Sequence, residues 1–163
     1  MRIEVTPDVF KLAEVFTISR GSRTEAKVLT VRISEGGVTG WGECVPYARY
    51  DETLESVTAQ IEGLSGAVTR EGLYDLLPAG AARNAMDCAL WDLRAKQAGK
   101  RVWQLAGLAA PGPEITAFTL SLAEPAQMQA QAAKHAHRPL LKIKLGTPDD
   151  MPRLEAVRAG APK

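Results

Sequence analysis

The 163-residue chain carries 20 basic and 19 acidic residues, a formal net charge of +1, and is 45% hydrophobic. This is ordinary for a soluble globular protein, and the near-balance of charge recommends neither nucleic acid nor an anionic membrane as a partner. The N-terminus, MRIEVTPDVF, has charges and a proline where a secretory signal needs a continuous apolar core. No run approaches the ~20 apolar residues that span a bilayer, so a cytoplasmic location is expected. Cys44 and Cys88 sit in apolar contexts without disulfide or metal-ligand spacing and read as buried free thiols.

In chain order, residues 2–12 alternate loosely, which predicts a first strand. ISRGSRTEA follows as a polar loop carrying Arg20 and Arg23. AKVLTVRIS, residues 26–34, alternates with Leu29, Val31 and Ile33 on one face. Glu35-Gly36-Gly37 supplies turn chemistry and VTGWGEC returns, so an antiparallel meander of about three strands is expected. Asp51 is the expected N-cap of a helix whose Leu54, Val57, Ile61 and Leu64 form one apolar stripe. A shorter helix over 70–77 ends before Pro78. An alanine-rich helix from about 81 to 98 stops at Gly99, and its small residues permit a helix or sheet to approach closely.

The Ala109-Ala110-Pro111-Gly112-Pro113 stretch marks a boundary, assigning residues 1–112 to an α+β domain and 113–163 to a second domain. Beyond it, ITAFTLSL reads as a strand, residues 125–136 as a helix opened by Pro125, and LLKIKL as another strand. Thr147-Pro148-Asp149-Asp150 starts a further helix with a capping hydroxyl, a first-turn proline and two carboxylates near the positive dipole end. Strand, helix, strand, helix at this spacing marks a parallel α/β sheet.

Lys142 and Lys144 lie inside that last strand. Alternation points them to one face, roughly 6 to 7 Å apart, with Leu141, Ile143 and Leu145 on the other. They sit toward the strand's C-terminal end, where α/β barrels and open α/β sheets place active sites. Two partly desolvated ammonium groups disfavour each other's charge, which eases one toward the neutral amine of a general base. Pattern alone favours an exposed edge strand guarded by lysines.

Several segments together shift that balance: ISRGSRTEAKVLTV, GWGECVPYARYDET, PAGAARNAMDCALWDLRAK and LLKIKL. They resemble the enolase superfamily in its muconate-lactonizing subgroup, most closely the dipeptide epimerases of the L-Ala-D/L-Glu type, along essentially the whole chain. The run Ala82-Arg83-Asn84-Ala85-Met86-Asp87-Cys88-Ala89 resembles the superfamily signature. Arg101 and Ala106 depart from the usual pattern, both on a structural stretch.

The resemblance implies an α+β capping domain followed by the first two βα units of a modified TIM barrel, left incomplete. It implies an isomerase that moves the α-proton of a small acidic dipeptide through an enolate. By the same resemblance Lys144 is the acid/base catalyst on one face and Lys142 holds the carboxylate or enolate. Thr119 contacts substrate, and Arg23 pairs with the side-chain carboxylate of the dipeptide, for which its guanidinium fork is suited.

The family's cofactor is Mg²⁺. Its acidic ligands, from the third to fifth barrel strands, and a second catalytic lysine, from the sixth, are expected beyond residue 163. A TIM barrel takes ~250 residues, so the sequence reads as the N-terminal half of a longer enzyme and the chain alone is expected to be inactive. Its open strand flank and apolar helix faces would favour swapping, assembly into a homo-oligomer or a disordered tail. The alternatives are another dipeptide epimerase, a muconate cycloisomerase, an o-succinylbenzoate synthase, or a non-catalytic interaction module.

Overall fold

A computed structural model describes residues 1–148 and 150–162. The chain packs as two compact units, one of residues 1–10 with 27–111 and one of residues 11–26 with 112–163.

An antiparallel sheet runs in the order β1 (Arg2–Ile18), β2 (Gly21–Glu35), β3 (Val38–Cys44), and its residues 2–10, 27–35 and 38–44 belong to the first unit. Around it lie α1 (Leu54–Glu62), the single turn α2 (Leu73–Leu76), α3 (Ala81–Gln97) and the short α4 (Val102–Leu105). The β2–β3 register pairs Leu29 with Cys44, Val31 with Gly42 and Ile33 with Gly40, and all six are buried. Large residues on β2 thus stand beside small ones on β3, and the space left above β3 is filled by α3. A Cβ on Gly42 would lie 2.8 Å from the Ala89 backbone nitrogen, and one on Gly40 would lie 2.6 Å from the Leu93 Cβ. Ala82, Ala85 and Ala89 are essentially inaccessible. The alanine run expected to permit close approach does so, backbone against backbone.

Several local expectations need correction. ISRGSRTEA is not a loop: β1 and β2 extend through it, leaving only Ser19-Arg20 as the turn, and Arg23 stands on β2. Asp51 does not cap α1. It takes a left-handed conformation (φ 58°) after a 3-10 turn, Ala48–Tyr50, where a short polar side chain is tolerated. The cap is Thr53, whose hydroxyl accepts the Ser56 N–H while the Ser56 hydroxyl accepts the Thr53 N–H. Cys44 is buried, but Cys88 is exposed on the outer side of α3.

In the second unit β4 (Phe118–Leu120) and β5 (Leu141–Ile143) pair in parallel, with α5 (Pro125–Lys134) and α6 (Asp150–Gly160). Leu120, Met128, Ala132 and Val157 form the core, with Phe118, Leu141 and Ile143 against them. Gly160 brings α6 onto α5, since a Cβ there would lie 3.1 Å from the Ala132 Cβ. Each strand is shorter than its apolar run suggests. Leu145, expected under a helix, lies past the end of β5 and is exposed. Of the four residues expected to open the last helix, Asp149 lies outside the described residues. Among the described residues β5 has a strand neighbour on one side only. Beside it runs a groove of ≈ 550 Å³ lined by Leu141, Ile143, Leu154, Val157 and Ala161 among others.

Candidate active site

The β4–β5 ladder sets the geometry of the candidate site. Its register pairs Phe118 with Leu141, Thr119 with Lys142 and Leu120 with Ile143. Because successive side chains alternate, the first and third pairs share one face and the middle pair takes the other. The face of Phe118, Leu120, Leu141 and Ile143 meets the core of α5 and α6. Thr119 and Lys142 therefore stand together on the opposite face, Thr119 half-buried and Lys142 exposed. Lys144 is the first residue past β5 and is half-buried.

The tip of the β1–β2 hairpin belongs to this same unit. The Leu122 N–H donates to the Thr17 carbonyl at 3.0 Å, and the Ser121 hydroxyl donates to the Val15 carbonyl at 3.1 Å. Lys134 on α5 pairs with Glu14 at 3.1 Å. The tip is thus fastened to the segment that follows β4. A Cβ on Gly146 would meet Ser19 at 3.5 Å, so the turn also lies against the segment that follows β5. Arg20 is in the turn and Arg23 just beyond it, both exposed. One compact unit therefore contains all four site residues expected from the sequence, Arg23, Thr119, Lys142 and Lys144.

Sequence reading missed a polar cluster beneath the segment after Lys144. Asp150, first residue of α6, accepts the Gly146 N–H at 2.7 Å and both the N–H and hydroxyl of Thr147 at 3.1 Å. Partial burial opposes charge on Asp150, but the Gly146 and Thr147 donors outweigh it and hold the carboxyl below the usual aspartate range. Arg153, one turn on, donates from Nε to the Ala123 carbonyl at 2.8 Å and from Nη1 to the Thr147 hydroxyl. The Thr147–Asp150 spacing hinted at a helix start, but no local pattern announced the arginine as buried.

Among the described residues no group of three His, Cys, Asp or Glu side chains is placed to hold a metal ion. These residues do not make up a magnesium site by themselves. No helix among them is long and apolar enough to cross a membrane.

A three-stranded antiparallel meander sealed by a small-residue helix is followed by two parallel strands with helices. Residues 1–107 match the family "Mandelate racemase / muconate lactonizing enzyme, N-terminal domain", and the chain belongs to that family.

Among its relatives is L-Ala-D/L-Glu epimerase of Escherichia coli K12, 43% identical, with 98% of this chain and 52% of that protein covered. An N-acetyl-D-glutamate racemase of Pseudoalteromonas is 40% identical over 83% of this chain and 44% of its own length. Of the solved structures, an enolase family member from Agrobacterium tumefaciens with homology to dipeptide epimerases, with sodium and L-Ala-L-Glu bound, superposes with a TM-score of 0.93. It is 53% identical, and the match covers 98% of this chain and 50% of that one. A dipeptide epimerase of Enterococcus faecalis complexed with Mg and L-Leu-L-Tyr is 30% identical at a TM-score of 0.84, over 97% of this chain and 49% of its own. The chain spans about half the length of these relatives.

Proposed function

We propose that the whole protein to which this chain belongs is a dipeptide epimerase of the L-Ala-D/L-Glu type. The observation that carries the proposal is the β4–β5 register, which sets Thr119 beside Lys142 on the face turned away from the core, with Lys144 next in the chain. The likeness to L-Ala-D/L-Glu epimerase over nearly the whole chain supports it.

In this reading Lys144 takes the α-proton from the C-terminal residue of the dipeptide. The C–H electron pair moves into the adjoining carboxylate to give an enolate. The Lys142 ammonium lies against the carboxylate oxygens where charge accumulates, a stabilisation that grows as the proton leaves. Thr119 supplies a hydroxyl beside it. A second proton donor, outside this chain, returns a proton to the opposite face and inverts the centre. Arg23 takes the distal carboxylate of a glutamate side chain in a two-pronged hydrogen bond. Mg²⁺, present in relatives' structures, would be held by residues beyond 163 and would stabilise the enolate when bound. In this reading the 163-residue chain by itself is inactive. Its domains would run 1–112 for the cap and 113–163 for the barrel start.

A second reading is favoured by one relative, the N-acetyl-D-glutamate racemase. N-acyl glutamate has the same acidic α-proton and distal carboxylate but no N-terminal amino group. Incubating the complete protein with L-Ala-L-Glu and with N-acetyl-D-glutamate, and following optical rotation, separates the two. Faster turnover of the dipeptide supports the first reading. Faster turnover of the N-acyl amino acid replaces it with the second, and inertness toward both overturns the assignment of a glutamate-ended substrate.

A further inference from the structure

Arg153 is the one charged side chain buried among the described residues, 8% exposed on α6. Burying a guanidinium is costly unless its donors are matched. The apolar core gains nothing from a charge, so the partners of Arg153 show where its burial is used. They are polar groups of two strand-to-helix connections, a backbone carbonyl, a hydroxyl and a carboxylate, and not apolar side chains. Nε bonds the Ala123 carbonyl and Nη1 the Thr147 hydroxyl, while Nη2 lies 3.8 Å from the exposed Glu124 carboxylate.

Ala123 and Glu124 lie in the connection from β4 to α5, and Thr147 lies in the connection from β5 to α6. Thr147 uses its single hydroxyl proton toward Asp150 and receives the Arg153 proton on its oxygen, so the donors and acceptors are consistent. Asp150 then takes the Gly146 N–H, two residues after Lys144. A continuous polar chain thus runs from the end of one strand to the end of the next. The β4–β5 ladder stops at Ile143, so strand pairing does not reach Lys144.

We propose that Arg153 is a positioning residue that ties the segment after Lys144 to the segment after β4, fixing Lys144 relative to Thr119 and Lys142. This rests on the reading of Lys144 as the acid/base catalyst. It concerns no contact with substrate. An ångström-scale misplacement of a catalytic group costs on the order of 10²-fold in rate. A guanidinium reaching two loops at once is the group whose loss would release such a displacement.

The test uses the complete protein in D₂O with each epimer of Ala-Glu, following α-proton exchange by NMR. Lys144 serves one face only, so a displaced Lys144 slows exchange from one epimer and spares the other, which a general loss of fold cannot do. Arg153→Met should lower exchange from the Lys144-facing epimer by ~10- to ~100-fold with KM little changed. Arg153→Lys, which keeps the charge but not the fork, should fall between the two. If Arg153→Met does not fold, Thr147→Val removes the shared hydroxyl and should give the same one-sided loss. Equal loss from both epimers, or no loss, in whichever of these folds, overturns the proposal. Lys144→Met is the control: if it leaves exchange from both epimers intact, the underlying catalytic reading fails. If it abolishes one-sided exchange while the Arg153 and Thr147 variants do not, only the positioning role fails.

Discussion

Thr119 and Lys142 are register partners across the parallel β4–β5 pair, on the face away from the α5–α6 core. Neighbouring strands lie ~4.8 Å apart, so a hydroxyl and an ammonium placed this way can address one substrate group together. In the complete protein, Lys142→Met should lower kcat by ~10² to ~10³, the scale for removing one preorganised charge stabiliser. Thr119→Val should cost ~10-fold in kcat/KM, with Thr119→Ser restoring most of it. Steady-state kinetics of the single and double variants should show losses that do not add, because contacting residues couple. Strictly additive losses would mean the two side chains act on separate parts of the substrate.

In the first unit, fold stability depends on the absence of a side chain at Gly42. Gly42→Ala would drive a methyl into the α3 backbone at Ala85 and Ala89, where neither partner is a flexible side chain. A loss of about 3 kcal/mol or more is expected, read as a lower midpoint in urea unfolding. Gly112, which has no atom within 4 Å of a built Cβ, is the matched control, and Gly112→Ala should leave the midpoint nearly unchanged.

These two sites also differ in how legible they were. The cap could be read because its signals are local: alternation in AKVLTVRIS, the Gly36-Gly37 turn, and alanines at helical spacing. The parallel pairing of β4 and β5 could be read from the strand–helix–strand–helix spacing, but the register that sets Thr119 beside Lys142 could not, because nothing local to either strand fixes it. The hairpin was misjudged because polar, glycine-containing ISRGSRTEA resembles a loop. Its ladder forms regardless, and its tip is fastened by Ser121 and Leu122, about a hundred residues away in sequence. Arg153 was invisible for the same reason, since its partners arrive only when both βα connections are in place. Thr53 displaced Asp51 as cap because the choice depends on a two-residue difference in where the helix begins, a margin within which both side chains suit the role.

Asp150 makes the segment after Lys144 sensitive to acid. Its carboxyl is held below the ordinary aspartate value of 3.8. A lowered folded-state value means the contribution is fully present above that ordinary value and is lost as pH falls through the lower, folded one. The Gly146 amide resonance should therefore hold its hydrogen-bonded position down to about pH 4 and shift only below it. Asp150→Asn should remove that transition. A midpoint above the ordinary aspartate value would contradict the hydrogen-bonded arrangement.

Arg23 is expected to read the substrate's side chain. Loss of a charge-assisted hydrogen bond costs ~1.5 to ~3 kcal/mol, or ~10- to ~150-fold. Arg23→Ala in the complete protein should weaken kcat/KM for L-Ala-L-Glu by that factor and leave L-Ala-L-Leu within a few-fold, in a two-substrate competition assay. An equal loss on both would assign Arg23 to the fold of the hairpin.

Incorporation of solvent deuterium at the α-carbon of L-Ala-L-Glu, compared between the complete protein and its Lys144→Ala variant, reads the proton transfer assigned to Lys144 itself. The unmodified protein should yield both epimers carrying α-deuterium. The variant should yield no epimerisation and should lose exchange from the epimer whose proton faces Lys144. Epimerisation at an undiminished rate in the variant, or no deuterium incorporation by the unmodified protein, would contradict that assignment.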